Sequence, residues 1–541
     1  VDDERAKDLL MNLLERAMTG ERTFLTSREV EALKSLLLKE AEQPDTQSVP
    51  VPPPSVPQPS KNIAAKTYKL ALDLGSAENE DLNSIVCVDF GTSFSKAFAT
   101  VSKAGGSRYV DLPIGDGSSG SRLTTPSELL VADGKIFFGA RARHYVEDTQ
   151  TSTEAIIDSI KQFITLGKEV SKLGAARLPA IQDKNGSLTQ RDVLVLYLAH
   201  LMHLTETALA GAGLPRNLLR RFAHPAWKDH SKEENAKEMR RLMAEAIVLA
   251  RSVGTDLADV MDLASALTLL EQLKTLSEEL LPVRLIGEPV REATAAGAGA
   301  LLSTPENTRQ AYLIVDVGAG TTDVAGFLCV NNPNWDQARV FEISTAATAM
   351  NKAGNMLDQI LHKYILDKSS LTQDTTEYRS ASLDIRRQRR ALKEQLFADG
   401  RLVVVLPTDE AVEVEIAAFL NLPQIRDFSK TLHDLVAGSA AIVAGSASRI
   451  KLVATGGGSR LPFVRKLAED GVQLDKRHID FDLVEAMPIT LAETNPELGD
   501  AFPQVAVAFG GSLPELPEQR SSVPTGIEHT PKRLITPMYK S

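Results

Sequence analysis

The sequence predicts an α/β protein of two similar lobes, on three observations. A β-branched apolar run breaks into glycine and hydroxyl residues at "SIVCVDFGTS" (84–93), and nearly the same phrase returns at "YLIVDVGAGTTD" (312–323). A third junction of this kind stands at "IKLVATGGGSRLP" (450–462), and helix-like stretches alternate with these strand-like runs. At 541 residues the chain is also longer than one hydrophobic core usually supports.

In chain order, residues 3 to 43 read as two amphipathic helices. Leu9, Leu10, Leu13 and Leu14 mark one apolar face, and "TG" at 19–20 interrupts it. Thr26 and Glu29 have capping-box spacing, with Leu33, Leu36 and Leu37 following at helical intervals. Residues 1–43 are therefore expected to be a helical appendage. The stretch 44–60 carries seven prolines in seventeen residues, which forbids helix and central strand, so 44–80 is predicted to be an extended linker. The body follows: a first lobe over 81–310, a second from 311 to 500, and a last segment at 501–513. Within the first lobe, the leucine-rich segment 244–281 reads as a helical insertion. Residues 514–541 are short, polar and predicted to be disordered.

Composition narrows the function classes. Hydrophobic residues make up 43% and charged residues 24%, the balance of an ordinary soluble globular protein. A formal net charge of −11 argues against broad binding to nucleic-acid phosphates, and "IRRQRR" (385–390) reads as a solvated helix face. Cys87 and Cys329 sit in apolar runs, as buried reduced thiols do. The first residues are charged and offer no signal-peptide core, and no apolar stretch approaches the ~20 residues of a membrane span. The expectation is a cytoplasmic protein with no membrane or nucleic-acid partner.

The repeated phrase has a specific physical use. Where a strand ends in aspartate and turns through glycine, backbone N–H groups lie unobstructed and form a concavity suited to phosphate oxygens. The aspartate can hold Mg²⁺ through its waters, because that ion keeps much of its hydration shell. Two such hairpins facing each other would clamp a nucleotide polyphosphate, so Asp89 and Asp316 are the candidate metal-organising carboxylates. The glycines at 456–458 suit close backbone approach to a flat base, with a helix N-terminus beyond. No Walker loop or dinucleotide fingerprint in strand–helix context is present.

The order of these motifs resembles the actin, hexokinase and heat-shock ATPase superfamily, and within it the nucleotide-binding domain of the seventy-kilodalton (DnaK-type) heat-shock chaperones. The resemblance covers roughly 84–513. It includes "TTPSELLV" (124–131), "IIDSIKQFI" (156–164), "HPAWKDHSKEENAKE" (224–238), "GEPVREATAAGAGAL" (287–301), "AGNMLD" (353–358), "RRALKEQL" (389–396) and "AVAFGG" (506–511). It implies a two-lobed actin-like ATPase fold, with duplicated ribonuclease-H-like lobes, helical subdomains, and a helix at 501–513 returning to the first lobe.

The implied cofactors are ATP or ADP with Mg²⁺. Gly91, Thr92 and Ser93 would contact phosphates from one hairpin, and Gly318, Gly320, Thr321 and Thr322 from the other. Lys161 would stabilise charge at the γ-phosphate, Glu288 and Asp316 would position the attacking water, and Thr321 belongs with the catalytic group. Asp323 would support the second hairpin. Lys393, Glu394, Gly456, Gly457, Gly458 and Arg460 would line the adenosine side, with the charges of Arg390 and Glu394 exchanged relative to the family. Pro225 and Lys237 match an interlobe relay, and Gln504 stands at a hinge aspartate.

The expected function is a slow, Mg-dependent ATPase acting as a chaperone-like switch without the usual peptide-binding domain. Residues 1–43 are a candidate surface for a protein partner or co-chaperone. The alternatives are an actin-like filament former, a small-molecule kinase and a non-hydrolysing ATP binder.

Overall fold

The computed structural model describes residues 66–522, apart from 77–82, 104–105, 118–120, 150, 166–167, 226, 228–230, 302–308, 331–338 and 446. The helices expected over 1–43 and the proline-rich stretch lie outside the described residues. The fold is mixed α/β, built around two large sheets.

The first half contains strands β1 (Ile85–Asp89), β2 (Phe94–Lys103), β3 (Gly106–Leu112), β4 (Thr125–Pro126), β5 (Leu129–Ala132) and β6 (Lys135–Phe138). Helices α1 (Ala140–Thr149) and α2 (Gln190–Gly211) follow, then β7 (Leu219–His224) and α3 (Lys232–Val253). β8 (Val260–Asp262), α4 (Leu263–Lys274), β9 (Val290–Arg291) and α5 (Glu292–Leu301) complete it. The second half opens with β10 (Arg309–Val317), β11 (Thr322–Val330), β12 (Arg339–Met350), α6 (Gly354–Lys368) and α7 (Thr376–Asp399). It continues through β13 (Arg401–Val405), β14 (Ala411–Glu415), α8 (Ile416–Leu420), α9 (Pro423–Val443) and β15 (Arg449–Thr455). α10 (Pro462–Asp470), β16 (Val472–Leu474), β17 (Arg477–Val484), α11 (Ile489–Thr494), α12 (Phe502–Ser512) and β18 (Glu518–Arg520) end it.

The two sheets repeat one topology. The first runs β3-β2-β1-β7-β9, and the second contains β12-β11-β10-β15-β17 in the corresponding order. In each, the first strand pairs antiparallel with the next, which pairs antiparallel with the third, and two parallel neighbours lie on the other side. The repeated phrase is therefore the same hairpin in the same place. Its register agrees too: Asp89 lies opposite Lys96 and Asp316 opposite Asp323, seven residues on in both. The central strand of each sheet is apolar because both of its faces are covered, as in parallel α/β sheets.

Each sheet has its own apolar cluster, and a third is shared between them. Here the helices change sides: α5 packs on β10 and β11, whereas α12 packs on β1 and β2. Both helices are rich in alanine and glycine, which lets them pack closely against each other. The end of α12 is fixed to the first sheet by a hydroxyl hydrogen bond between Thr100 and Ser512 (2.7 Å) and by Arg221 donating to the carbonyls of Gly511 and Leu513.

Four expectations change. Residues 244–281 do not form a separate helical insertion: the helix ends at Gly254, whose φ of 69° breaks it. The chain then passes through β8, which pairs with β6, into α4, and its leucines belong to the first core. The linker is shorter than 44–80, since Leu74 is buried, Lys66 and Tyr68 bind Asp256, and the Ala71 amide donates to Ser252. The segment 514–541 is not wholly irregular, because Glu518–Arg520 adds a parallel strand to the edge of β12. Finally, α2 is a 22-residue helix long and apolar enough to span a membrane by composition. It is apolar nearly all round because the first core surrounds it, and a Thr189–Asp192 capping box starts it.

Candidate functional site

The two hairpins meet face to face. A Cβ added to Gly320 would lie 2.6 Å from the Thr92 hydroxyl oxygen, so only glycine lets one turn approach the other this closely. Nearby, the Ser93 hydroxyl donates to Asn355 Oδ1 (3.3 Å), at the start of α6. The third glycine turn packs behind the second hairpin through the Gly458 amide, which donates to the Val317 carbonyl (2.9 Å). Gly456 has φ of 80°, and a Cβ there would collide with the Asp316 carboxylate and the Val317 carbonyl.

Asp89, Lys161, Glu292, Asp316 and Thr321 all border the cleft between the turns, a cavity of about 200 Å³. Lys161 rides on a short 3-10 helix, Ile160–Ile164, and is buried. Its Nζ lies 2.5 Å from Glu292 Oε1 and 3.9 Å from Asp89 Oδ1, while Lys96 Nζ is 3.2 Å from Asp89 Oδ2. Burial works against the Lys161 charge, but the Glu292 and Asp89 carboxylates outweigh it and hold the ammonium above the ordinary lysine range. Burial, reinforced by the charges of Glu292 and Asp89, pushes the Asp316 carboxyl up to about 7. Asp323 is raised by burial and by the charges of Glu292 and Asp316. The strand register also differs between the hairpins: Asp89 lies opposite Lys96, and Asp316 opposite Asp323.

Acidic and basic side chains balance along the cleft: Asp89, Glu292, Asp316 and Glu394 stand beside Lys96, Lys161, Arg390 and Lys393. Among the described residues no three acidic, His or Cys side chains converge tightly enough to enclose a metal directly.

Of the sequence-predicted residues, Gly91, Thr92, Ser93, Gly318, Gly320, Thr321, Lys393, Glu394, Gly456, Gly457 and Gly458 line this cleft together with Asp89, Lys161 and Asp316. Lys393 is held by Asp358 at 2.8 Å. Thr322 is buried and its hydroxyl donates to the Lys352 carbonyl, away from the cleft. Arg460 binds Asp500 at the surface. Lys237 is exposed on α3, and Pro225 is buried just after β7.

Glu288 is displaced from its expected role. Its side chain is 81% exposed and pairs with Arg240, whereas Glu292 occupies the cleft. Both glutamates lie in the stretch "GEPVREATAAGAGAL", and Glu292 is the one that opens its run of small residues. Lys96 and Asn355 also line the cleft without any sequence signal pointing to them, and Gln504 lines it from the position expected of a hinge.

The arginines of "IRRQRR" are only partly a solvated face: Arg387 is exposed, while Arg386, Arg389 and Arg390 are half-buried. Arg386, Arg387, Arg389 and Arg390 border a second cavity of about 710 Å³ that adjoins the first at Thr92, Ser93 and Asn355. This cavity is larger, but the glycine turns, Asp89, Glu292 and Asp316 line the smaller cleft. No model of a known protein family matches the chain, and no curated protein matches it significantly.

Proposed function

We propose that the chain binds ATP with Mg²⁺ between the two hairpins and hydrolyses it slowly, as a nucleotide-driven switch of the heat-shock seventy type. The repeated topology supports a two-lobed actin-like fold with ribonuclease-H-like lobes. The observation that carries the proposal is the meeting of two equivalent Asp-Gly hairpins, Gly320 against Thr92, with both strand-end aspartates facing one cleft.

Bound Mg²⁺ would neutralise phosphate charge beside Asp89 and Asp316. Thr92, Ser93, Gly318, Gly320 and Thr321 orient the polyphosphate from opposite sides. Lys161, fixed in place by Glu292 and Asp89, stabilises charge developing on the transferred phosphoryl group. Glu292, rather than Glu288, orients the attacking water together with Asp316. Positioning and electrostatics account for most of such a rate, because phosphoryl transfer needs little covalent help. The output of the switch is a protein partner bound through residues 1–43.

Thermal melting tests the binding step. Mg-ATP at a hundred to a thousand times its Kd should stabilise the protein by ~3–4 kcal/mol, and an unchanged melting curve would sink the proposal.

A further inference from the structure

The larger cavity, about 710 Å³, has the volume of a small-molecule site. One wall consists of Thr92, Ser93 and Asn355, and another of the inward face of α7. Most of the charge around it is already paired: Arg143 with Glu128, Arg386 with Glu154, and Arg389 with Asp158. In the adjoining cleft, Asp89 and Glu292 hold Lys96 and Lys161, and Asp358 holds Lys393.

Arg390 forms none of these ion pairs. Its guanidinium lies 4.4 Å over the Phe94 ring, and its Nη1 is sealed from solvent with no hydrogen-bond partner. It borders both cavities, at the place where they join. A guanidinium donor held dry and unpaired costs free energy until an acceptor meets it. Its planar fork, pre-aligned by stacking on Phe94, matches a carboxylate or phosphate.

We propose that the larger cavity is a second binding site, taking a small organic oxyanion (phosphorylated or carboxylated) anchored by Arg390 beside the phosphate-facing turns. The proposal rests on the nucleotide reading only for what occupies the neighbouring cleft. The ligand's oxyanion meets the Arg390 guanidinium where it borders the cavity, with Nη1 turning out to it on binding, and its remaining bulk fills the space toward Gln182 on another part of the lining.

The test is calorimetric titration of the full chain, saturated with Mg-ADP, using citrate, glycerol 3-phosphate and, as a neutral control, glycerol. The titrations are repeated with the Mg complex of a β,γ-imido ATP analogue. At least one oxyanion should bind saturably in both nucleotide states, and glycerol should not. Arg390→Gln should weaken that binding about ten- to a hundredfold. Gln182→Trp should narrow the cavity and weaken binding with Arg390 intact, which covers the case where the arginine variant misfolds.

Two results overturn the proposal. One is no oxyanion binding to a protein that binds Mg-ADP. The other is binding that vanishes with the imido analogue, which would assign Arg390 to the nucleotide's own terminal phosphate. Failure of Mg-ADP to bind counts against the nucleotide reading instead. The same titration on nucleotide-free protein then decides the second site, with binding supporting it and its absence overturning it.

Discussion

Replacing Asp316 by asparagine should stabilise the nucleotide-free protein, and the gain should grow with pH. In the folded chain this carboxyl titrates near 7 against an ordinary value of 3.8, because it is buried beside Glu292 and Asp89. The native state therefore keeps a proton that the unfolded chain has released. The associated stability is fully present below 3.8 and is lost as pH rises through about 7. Each pH unit in that window is worth about 1.4 kcal/mol, so about 2 kcal/mol disappears between about pH 5.5 and about pH 7. The asparagine amide is neutral throughout and also relieves Asp323, which acts in the same direction. With an unfolding entropy of about 2.1 cal/mol/K per residue, a body of roughly 450 residues converts this to about 2 °C. Melting of both proteins in chelator, without nucleotide, should show the variant's lead over wild type widening by that amount from about pH 5.5 to about pH 8, with the widening essentially complete by pH 8. Other titrating groups largely cancel in the difference. A lead that stays flat with pH would refute a buried, like-charge environment for Asp316.

The other expectations concern the cleft. Lys161→Ala should slow ATP hydrolysis by about 10²–10³-fold while changing Mg-ATP affinity only a few-fold, and equal loss of both would contradict its role. Glu292→Gln should reduce turnover strongly, whereas Glu288→Gln should leave it within about twofold, since the latter side chain points to solvent. A steady-state assay that reverses this order would return the water-positioning role to Glu288. Gly456→Ala should destabilise the fold by about 2–4 kcal/mol, because it combines a left-handed backbone with a clash at Asp316 and Val317. Chemical denaturation measures that, and a neutral result would mean the turn can move aside.

The jaws were legible because their chemistry is local: a strand end, an aspartate and a glycine turn lie within a few consecutive residues. The shared register, with Lys96 and Asp323 each seven residues beyond its aspartate, is a consequence of that locality. Glu292 was harder to find, since two glutamates lie four residues apart and only the start of α5 decides which one turns inward. Helical spacing defines the face of the α7 arginines without saying what stands opposite it. Glu154 and Asp158, more than two hundred residues earlier, supply the partners. The strand at Glu518–Arg520 escaped notice because it is polar, and backbone pairing to β12 builds it rather than apolar burial. The end of the linker was misjudged for a related reason: Tyr68, Leu70 and Leu74 are too few to make a periodic pattern, yet they suffice to pack on the first core.

The exchange of α5 and α12 between the sheets affects how the protein is made. Thr100 waits for Ser512, a partner 412 residues further along the chain. Phe98 and Tyr109 likewise remain uncovered until Phe509 arrives to pack its ring 5.3 Å from each. At translation speeds of about 5–20 residues per second, that delay is about 20–80 s. During it the nascent first half presents a greasy, unfinished surface on the ribosome. Protection from aggregation in that interval has to come from outside this half, because the piece that completes it is synthesised 412 residues later.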